Sequence, residues 1–326
     1  MKKIFTIMLV LMLGGVIATN DAYLNRFEQA WKLVKDYYYD LNYRGVDWDE
    51  VGERYRRLVA AATSWKEVYE LLDEMYRELG DDHSRVLSPP EARLALRGAL
   101  CYPLPFPVPP EDISSEEKEW QSEPSSDSED DYEWGSFGYS IKGHVGYLRL
   151  PNLVDETAAS SLEEAVRTLE EQNVIGYVLD IRGNPGGLAL TMAEVAGVFM
   201  RGLPWRIVTR TKGVMPQPTI PFWGKPLTTK PLVVLIDGGV NSAAEGLAGA
   251  LKQAGRATLV GERTAGNTEV ILPYCFPDGG VAMLASGVLA PFKGPTWEGR
   301  GVEPDIEVAG DDAQLERALQ VIKQER

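Results

Sequence analysis

The chain has 326 residues, 44% hydrophobic and 25% charged, the balance of a folded protein with room for about two domains of roughly 150 residues each. Its formal net charge of −15 argues against nucleic-acid binding and against adhesion to anionic lipid, because both need clustered Lys and Arg. The charge is uneven: residues 111–133 carry eleven acidic side chains against Lys118 alone, a local −10, which leaves −5 for everything else.

Lys2 and Lys3 precede an apolar run from Ile4 to Ile17, and Val16-Ile17-Ala18 offers a cleavage site, the layout of a secretory signal peptide over residues 1–18. The run is short of the roughly 20 residues of a membrane span, and no Cys follows it for lipid attachment, although an uncleaved anchor stays open. The expected location is exported, periplasmic or extracellular, with a membrane tether only if the leader is retained. No other segment approaches about eighteen apolar residues, so no stable membrane insertion is expected after cleavage. Export permits a disulfide between Cys101 and Cys275; two unpaired thiols are the alternative.

Residues 19–90 read as a small helical bundle. Phe27, Trp31, Val34 and Tyr38 recur at three- and four-residue steps, as do Val51, Tyr55, Leu58 and Val59. Asp47 ahead of Trp48-Asp49-Glu50 puts negative charge at a helix start. Ser64 is an N-cap candidate for a helix through Val68, Leu71, Leu72, Met75 and Leu79 to Gly80. Gly80-Asp81-Asp82-His83-Ser84 then breaks the pattern and leads into an extended piece. Residues 91–135 form a linker or insert, a proline run at 101–110 followed by the acidic stretch, too poor in apolar residues to build a core. An acidic arm that docks on a basic partner, or in the protein's own cleft, is the functional alternative.

From 136 to 326 strands alternate with helices. Ser136–Ile141 and Val145–Leu150 flank Lys142-Gly143-His144 as a hairpin. Helix Glu156–Glu171, strand Ile175–Asp180, a glycine-rich turn, a helix near Thr191–Phe199 and strand Arg206–Thr211 come next. Strand Leu232–Ile236 leads into a helix from Ser242 to Ala254. Strands Thr258–Val260, Ala282–Ala285 and Ile306–Val308 and a helix Gln314–Lys323 complete an α/β core with crossover connections.

In such cores, sites gather at strand-to-helix turns. One turn, residues 180–187, ends in Gly186 and Gly187, whose backbone N–H groups can approach an anion closely; its spacing fits neither a P-loop nor a dinucleotide fingerprint. The other, residues 237–242, opens a helix at Ser242, which is either an N-cap or a nucleophile placed where the Ala243 N–H can hold an oxyanion. A serine nucleophile needs a base. Of the two histidines, His144 reads as a hairpin-turn residue. His83, among Asp81, Asp82 and Ser84, is either a structural loop residue or a base kept basic near neutrality by its acidic neighbours.

Taken in order, FEQAWKLVKDYYYD, GDDHS, GHVGYLRLP, GYVLDIRGNPGG, PLVVLIDGGVNSAAEGLAGALK, VGERTAGNTE and EGRGVEPDI resemble the C-terminal processing (tail-specific) serine peptidase family, including the core of tricorn protease. The similarity spans most of the chain after the leader. It implies a crotonase/Clp-like α/β superhelical core with an N-terminal helical bundle, a peptide or protein substrate, and no metal or organic cofactor. Homo-oligomerisation is left open, as relatives often assemble. On this resemblance Ser242 falls on the nucleophile of the family's Ser-Ala-x-Glu segment. The lysine base common in the family falls on Asn267, so a Ser–Lys dyad is not expected. The tricorn-like branch takes its base from the segment matching His83, and a glutamate near its C-terminal motif falls on Glu298.

A Ser242–His83–Glu298 arrangement follows, with Gly186 or Gly187 and Ala243 as oxyanion donors. The tricorn pattern has a serine before its histidine; here Asp82 stands there and Ser84 follows. Asp82, Ser84 or Glu298 therefore orients His83, with Glu298 preferred. The PDZ domain that family members carry after the segment matching Leu87–Glu91 has no counterpart between Glu91 and Ser136, so tail specificity is not carried over. The expected activity is an exported serine endopeptidase with an acyl-enzyme intermediate. The alternatives are a non-catalytic binder of hydrophobic ligands or peptides on the same fold, and an acyl-CoA enzyme of crotonase type.

Overall fold

The computed structural model describes residues 21–96, 101–107 and 135–325; the leader and the acidic stretch 111–133 lie outside the described residues. The chain divides into two compact units, Met1–Glu129 with Val270–Gly287, and Asp130–Glu269 with Val288–Arg326. This departs from the single block expected over 136–326, because Val270–Gly287 packs with the N-terminal helices.

In the first unit a helix over 21–37 is followed by helices Trp48–Ala61 and Trp65–Arg77. The Asp47 carboxylate accepts the Glu50 N–H, and the Ser64 hydroxyl accepts that of Glu67, so each start satisfies one otherwise orphaned amide. Phe27, Val34, Tyr38, Val51, Tyr55 and Val59 are buried as the periodicity predicts, whereas Leu58 falls on the outer face. Trp31 and Trp48 each donate an indole N–H to the other's carbonyl, at 3.0 and 3.1 Å. Gly52 lets them close, since a Cβ there would run into the Trp31 ring.

Tyr274, Phe276, Ala282, Leu284 and Ala285 join the same apolar core. Charge reinforces that packing. Arg26 and Asp278, both without exposed side-chain surface, form an ion pair. Arg26 donates to the Tyr69 hydroxyl at 2.6 Å, Tyr69 donates to Asp278, and Trp65 and Phe276 lie over the guanidinium. Removing one partner of such a buried pair typically costs about 3–5 kcal/mol.

The extended piece after Ser84 is strand Arg85–Leu87, antiparallel to Val281–Met283. Helix Pro89–Leu96 was not expected. Its first residue is a proline, whose missing N–H would be unpaired there anyway, and Glu91 accepts the Ser88 N–H at 2.8 Å and hydroxyl at 2.6 Å. Tyr102–Pro103 runs parallel to Tyr274–Cys275, and a disulfide joins Cys101 to Cys275, with Cα atoms 5.5 Å apart.

The second unit is built on a six-stranded sheet ordered Ile306–Glu307, Thr258–Gly261, Leu232–Ile236, Tyr177–Asp180, Val145–Arg149, Gly138–Lys142. All neighbours are parallel except the hairpin at the edge, where Gly138–Lys142 pairs with Val145–Arg149. Every residue of Tyr177–Asp180 and Leu232–Ile236 is buried, as central parallel strands covered on both faces require. Helices Ala158–Glu171, Ala189–Phe199, Ala243–Gln253 and Asp311–Gln324 accompany the sheet. Strand Trp205–Thr209 forms a hairpin with Gly213–Gln217. That partner and strand Glu269–Cys275 were not predicted. Each contains a proline, Pro216 or Pro273, which removes a ladder donor and masks the strand pattern. No helix among the described residues is long and apolar enough to cross a membrane.

Candidate active site

Ser242 stands between strand Leu232–Ile236 and helix Ala243–Gln253 with φ +52° and ψ −123°, a backbone conformation costly for any residue with a side chain. Its N–H is held by the Asn267 carbonyl at 3.0 Å and by Glu245 Oε2 at 3.2 Å. Glu245 is fully buried, and its carboxylate also accepts Thr264 Oγ1 at 2.5 Å, Gly266 N at 2.6 Å and Asn267 N at 2.8 Å. Burial pushes its carboxyl above the ordinary range, and these donors work in the opposite direction. Sequence reasoning quoted Glu245 in the motif but gave it no role. The signal was there: an acid three residues after a helix-starting serine is a capping-box position.

Gly186, at φ +95°, lies directly against this turn. A Cβ on it would meet Ser242 Cβ at 2.8 Å, the Asn241 carbonyl at 2.8 Å and Ala243 N at 2.9 Å. Its own N–H, however, donates to Asn184 Oδ1 at 2.8 Å. Gly186 therefore supplies close approach and no free donor, a correction to its expected oxyanion role. Gly187, at φ +142°, presses on the Leu153 backbone. Among the described residues neither the Gly187 N–H nor the Ala243 N–H has a hydrogen-bond acceptor.

The two turns are locked together. Fully buried Asn184 donates to the Leu150 carbonyl at 2.9 Å, and its own carbonyl accepts the Asn241 N–H at 2.9 Å. Asp237 Oδ1 accepts from Gly183 at 2.8 Å and Gly239 at 3.0 Å. Asn241 Oδ1 is buried and has no hydrogen-bond partner among the described residues.

Glu298 follows Trp297, whose ring sits on Gly249, and the next N–H, of Gly299, donates to the Gly266 carbonyl at 2.7 Å. Glu298 Oε2 accepts the Thr268 N–H at 2.6 Å and hydroxyl at 3.1 Å. Adjacent residues Asn267 and Thr268 thus contact Ser242 and Glu298 respectively. Burial first, and the neighbouring Glu269 carboxyl second, push Glu298 up from 4.5 to about 7, against the pull of the Thr268 amide. The fold therefore favours the protonated form. Glu298 contributes stability fully below about pH 4.5, and that contribution is lost as pH rises through about 7. Glu298→Gln should flatten stability against pH between about 5 and 8 in urea titrations; a slope equal to the parent's would refute this.

His83 belongs to the first unit, whereas Ser242, Ala243, Gly186, Gly187 and Glu298 belong to the second. The His83 N–H donates to Asp81 Oδ1 at 3.0 Å, and Asp81 also accepts the Ser84 N–H at 2.5 Å and the Tyr38 hydroxyl at 2.8 Å. Of the other candidates to orient His83, Ser84 is buried and its hydroxyl accepts the Ala285 N–H at 3.1 Å, while Asp82 is exposed. His144 is exposed at the hairpin turn before Val145.

Comparison with known proteins gives two family matches, Peptidase family S41 over residues 144–308 and the Tricorn protease C1 domain over residues 20–77. "Carboxyl-terminal-processing peptidase 3, chloroplastic" of Arabidopsis thaliana is 36% identical over 166 residues, 50% of this chain and 31% of that protein. "Carboxy-terminal-processing protease" of Bartonella bacilliformis is 35% identical over 177 residues, 52% of this chain and 40% of that one. The chain thus spans less than half the length of either curated relative. Among solved structures, "Photosystem II D1 C-terminal processing protease" superposes with a TM-score of 0.63 at 22% identity, covering 92% of this chain and 97% of that one, a likeness of fold.

Proposed function

Since the chain belongs to peptidase family S41, matched over half its length, we propose that it is an exported serine endopeptidase in which Ser242 is the nucleophile, His83 the base and Glu298 the carboxylate that orients His83. The observation that carries this reading is Ser242 itself, a strained non-glycine residue at a helix start, followed by the unpartnered Ala243 N–H and packed against Gly186 of the glycine-rich turn. Strain of this kind persists only where surrounding structure over-determines it, and it concentrates at functional sites.

In the proposed reaction His83 removes the Ser242 Oγ proton as Oγ attacks the peptide carbonyl. The Gly187 and Ala243 N–H groups hold the developing oxyanion, and one such donor is commonly worth about 10²–10³ in kcat. His83 then protonates the leaving amine, and water repeats the sequence on the acyl-enzyme. Asn267 stands where a lysine base would fall, which leaves proton transfer to His83. Glu298 orients an imidazolium only when ionised, so activity should climb as pH passes through about 7.

A fluorophosphonate probe tests the assignment. It should label the parent at Ser242, label His83→Ala far more slowly, and leave Ser242→Ala unmarked. A folded parent that takes no label favours the non-catalytic binder instead.

A further inference from the structure

Although the chain carries 48 acidic residues against 33 basic ones, residues 195–236 contain six Lys or Arg and no Asp or Glu. The stretch also holds the most exposed large apolar side chain among the described residues of the second unit. Trp223 is 81% exposed, with Phe222 edge-on to it at 4.5 Å, and Leu203, Ile220 and Phe292 are exposed as well. Backbone contacts make these residues neighbours. Thr219 and Gly202 bond to each other, Phe292 N–H donates to the Pro204 carbonyl, and Arg201 donates to the carbonyls of Trp223 and Lys225. Arg206 reaches the carbonyls of Phe292 and Gly294 at 2.8 and 2.5 Å, which brings Lys293 to the same face. Both guanidinium groups are bound by neutral carbonyls, so their charge is retained. None of Arg201, Arg206, Lys225 and Lys293 forms an ion pair with a carboxylate among the described residues.

We propose that this face docks on an anionic lipid surface. Trp223, Ile220, Leu203 and Phe292 enter the headgroup layer, while the four cations meet lipid phosphates. Aromatic rings standing out beside cations suit a headgroup layer, which accommodates both the apolar body of the ring and its N–H. An acidic peptide would satisfy the cations but leave Trp223 in water. The net charge does not forbid the contact. Two-thirds of it lies in residues 111–133, and exposed charges act over a Debye length of about 8 Å at physiological salt. The proposal is independent of the peptidase reading.

Co-sedimentation of the full chain with vesicles of phosphatidylcholine, with and without phosphatidylglycerol, tests it. Lys225→Gln with Lys293→Gln should weaken binding to the anionic vesicles by about 25-fold, some fivefold for each cation. Trp223→Ser should weaken it without changing its salt dependence. Lys66→Gln with Lys323→Gln, an equal loss of charge elsewhere, should bind as the parent does. Zwitterionic vesicles report what the leader and the exposed apolar side chains contribute, and the Lys225/Lys293 variant should bind them as the parent does. Equal anionic binding by the Lys225/Lys293 variant and the parent overturns the proposal. So does an equal loss in the Lys66/Lys323 control, or capture by polyglutamate without capture by vesicles.

Discussion

Ser242→Ala is expected to lower kcat for peptide hydrolysis by about 10⁴–10⁶-fold, the scale seen when a serine nucleophile is removed. The backbone adds a second expectation that a merely structural serine would not share. Alanine at 242 must still adopt φ +52°, whereas glycine occupies that region freely. Ser242→Gly should therefore be as inactive as Ser242→Ala yet about 1 kcal/mol more stable, the strain relieved being reduced by glycine's greater unfolded-state entropy. Peptide turnover and urea unfolding on the same two variants check both parts. An active alanine variant removes Ser242 as nucleophile. A glycine variant no more stable than alanine removes the strain from the account.

Glu245→Ala should be the most destabilising change around the site, by about 3–5 kcal/mol, because it strands buried donors that converge on one carboxylate. Three of them, the Thr264 hydroxyl and the Gly266 and Asn267 amides, come from the segment that also carries Thr268 to Glu298. Glu245→Gln is not a conservative rescue. Its NH₂ must face at least one backbone N–H, that of Gly266 or those of Ser242 and Asn267, so it cannot restore all four bonds. Both variants should lose activity beyond what their folded fraction explains, since one or more of the amides that fix the Ser242 turn lose their acceptor. The measurement is kcat under conditions where circular dichroism shows each variant folded. Parent-like kcat there would reduce Glu245 to a purely structural role.

How much of this was legible beforehand depends on range. Local chemistry read well: Ser64 and Asp47 cap their helices, His144 closes a hairpin, and Leu232–Ile236 is a fully buried parallel strand. Signals that depend on what lies opposite did not. Pro273 hid strand Glu269–Cys275, and nothing near Asp278 announces a buried Arg26. The glycine pair at 186–187 was rightly singled out for close approach, but only Asn184 Oδ1 decides which N–H stays free. Glu245 carried a capping-box signal, but the donors from residues 264–267 that also converge on it lie too far along the chain for a local pattern to show.

The Arg26–Asp278 pair also bears on time. The helices of the first unit are made some two hundred residues before Asp278 and the apolar residues of Val270–Gly287 that complete their core. Until then Arg26 has no counter-charge to enter the core with, and closing so distant a contact carries the loop entropy that slows non-local folds. Helices made early therefore finish folding only once Val270–Gly287 has followed, and the loop bearing His83 belongs to the unit that waits. A partly synthesised chain has the sequence of that unit without its architecture.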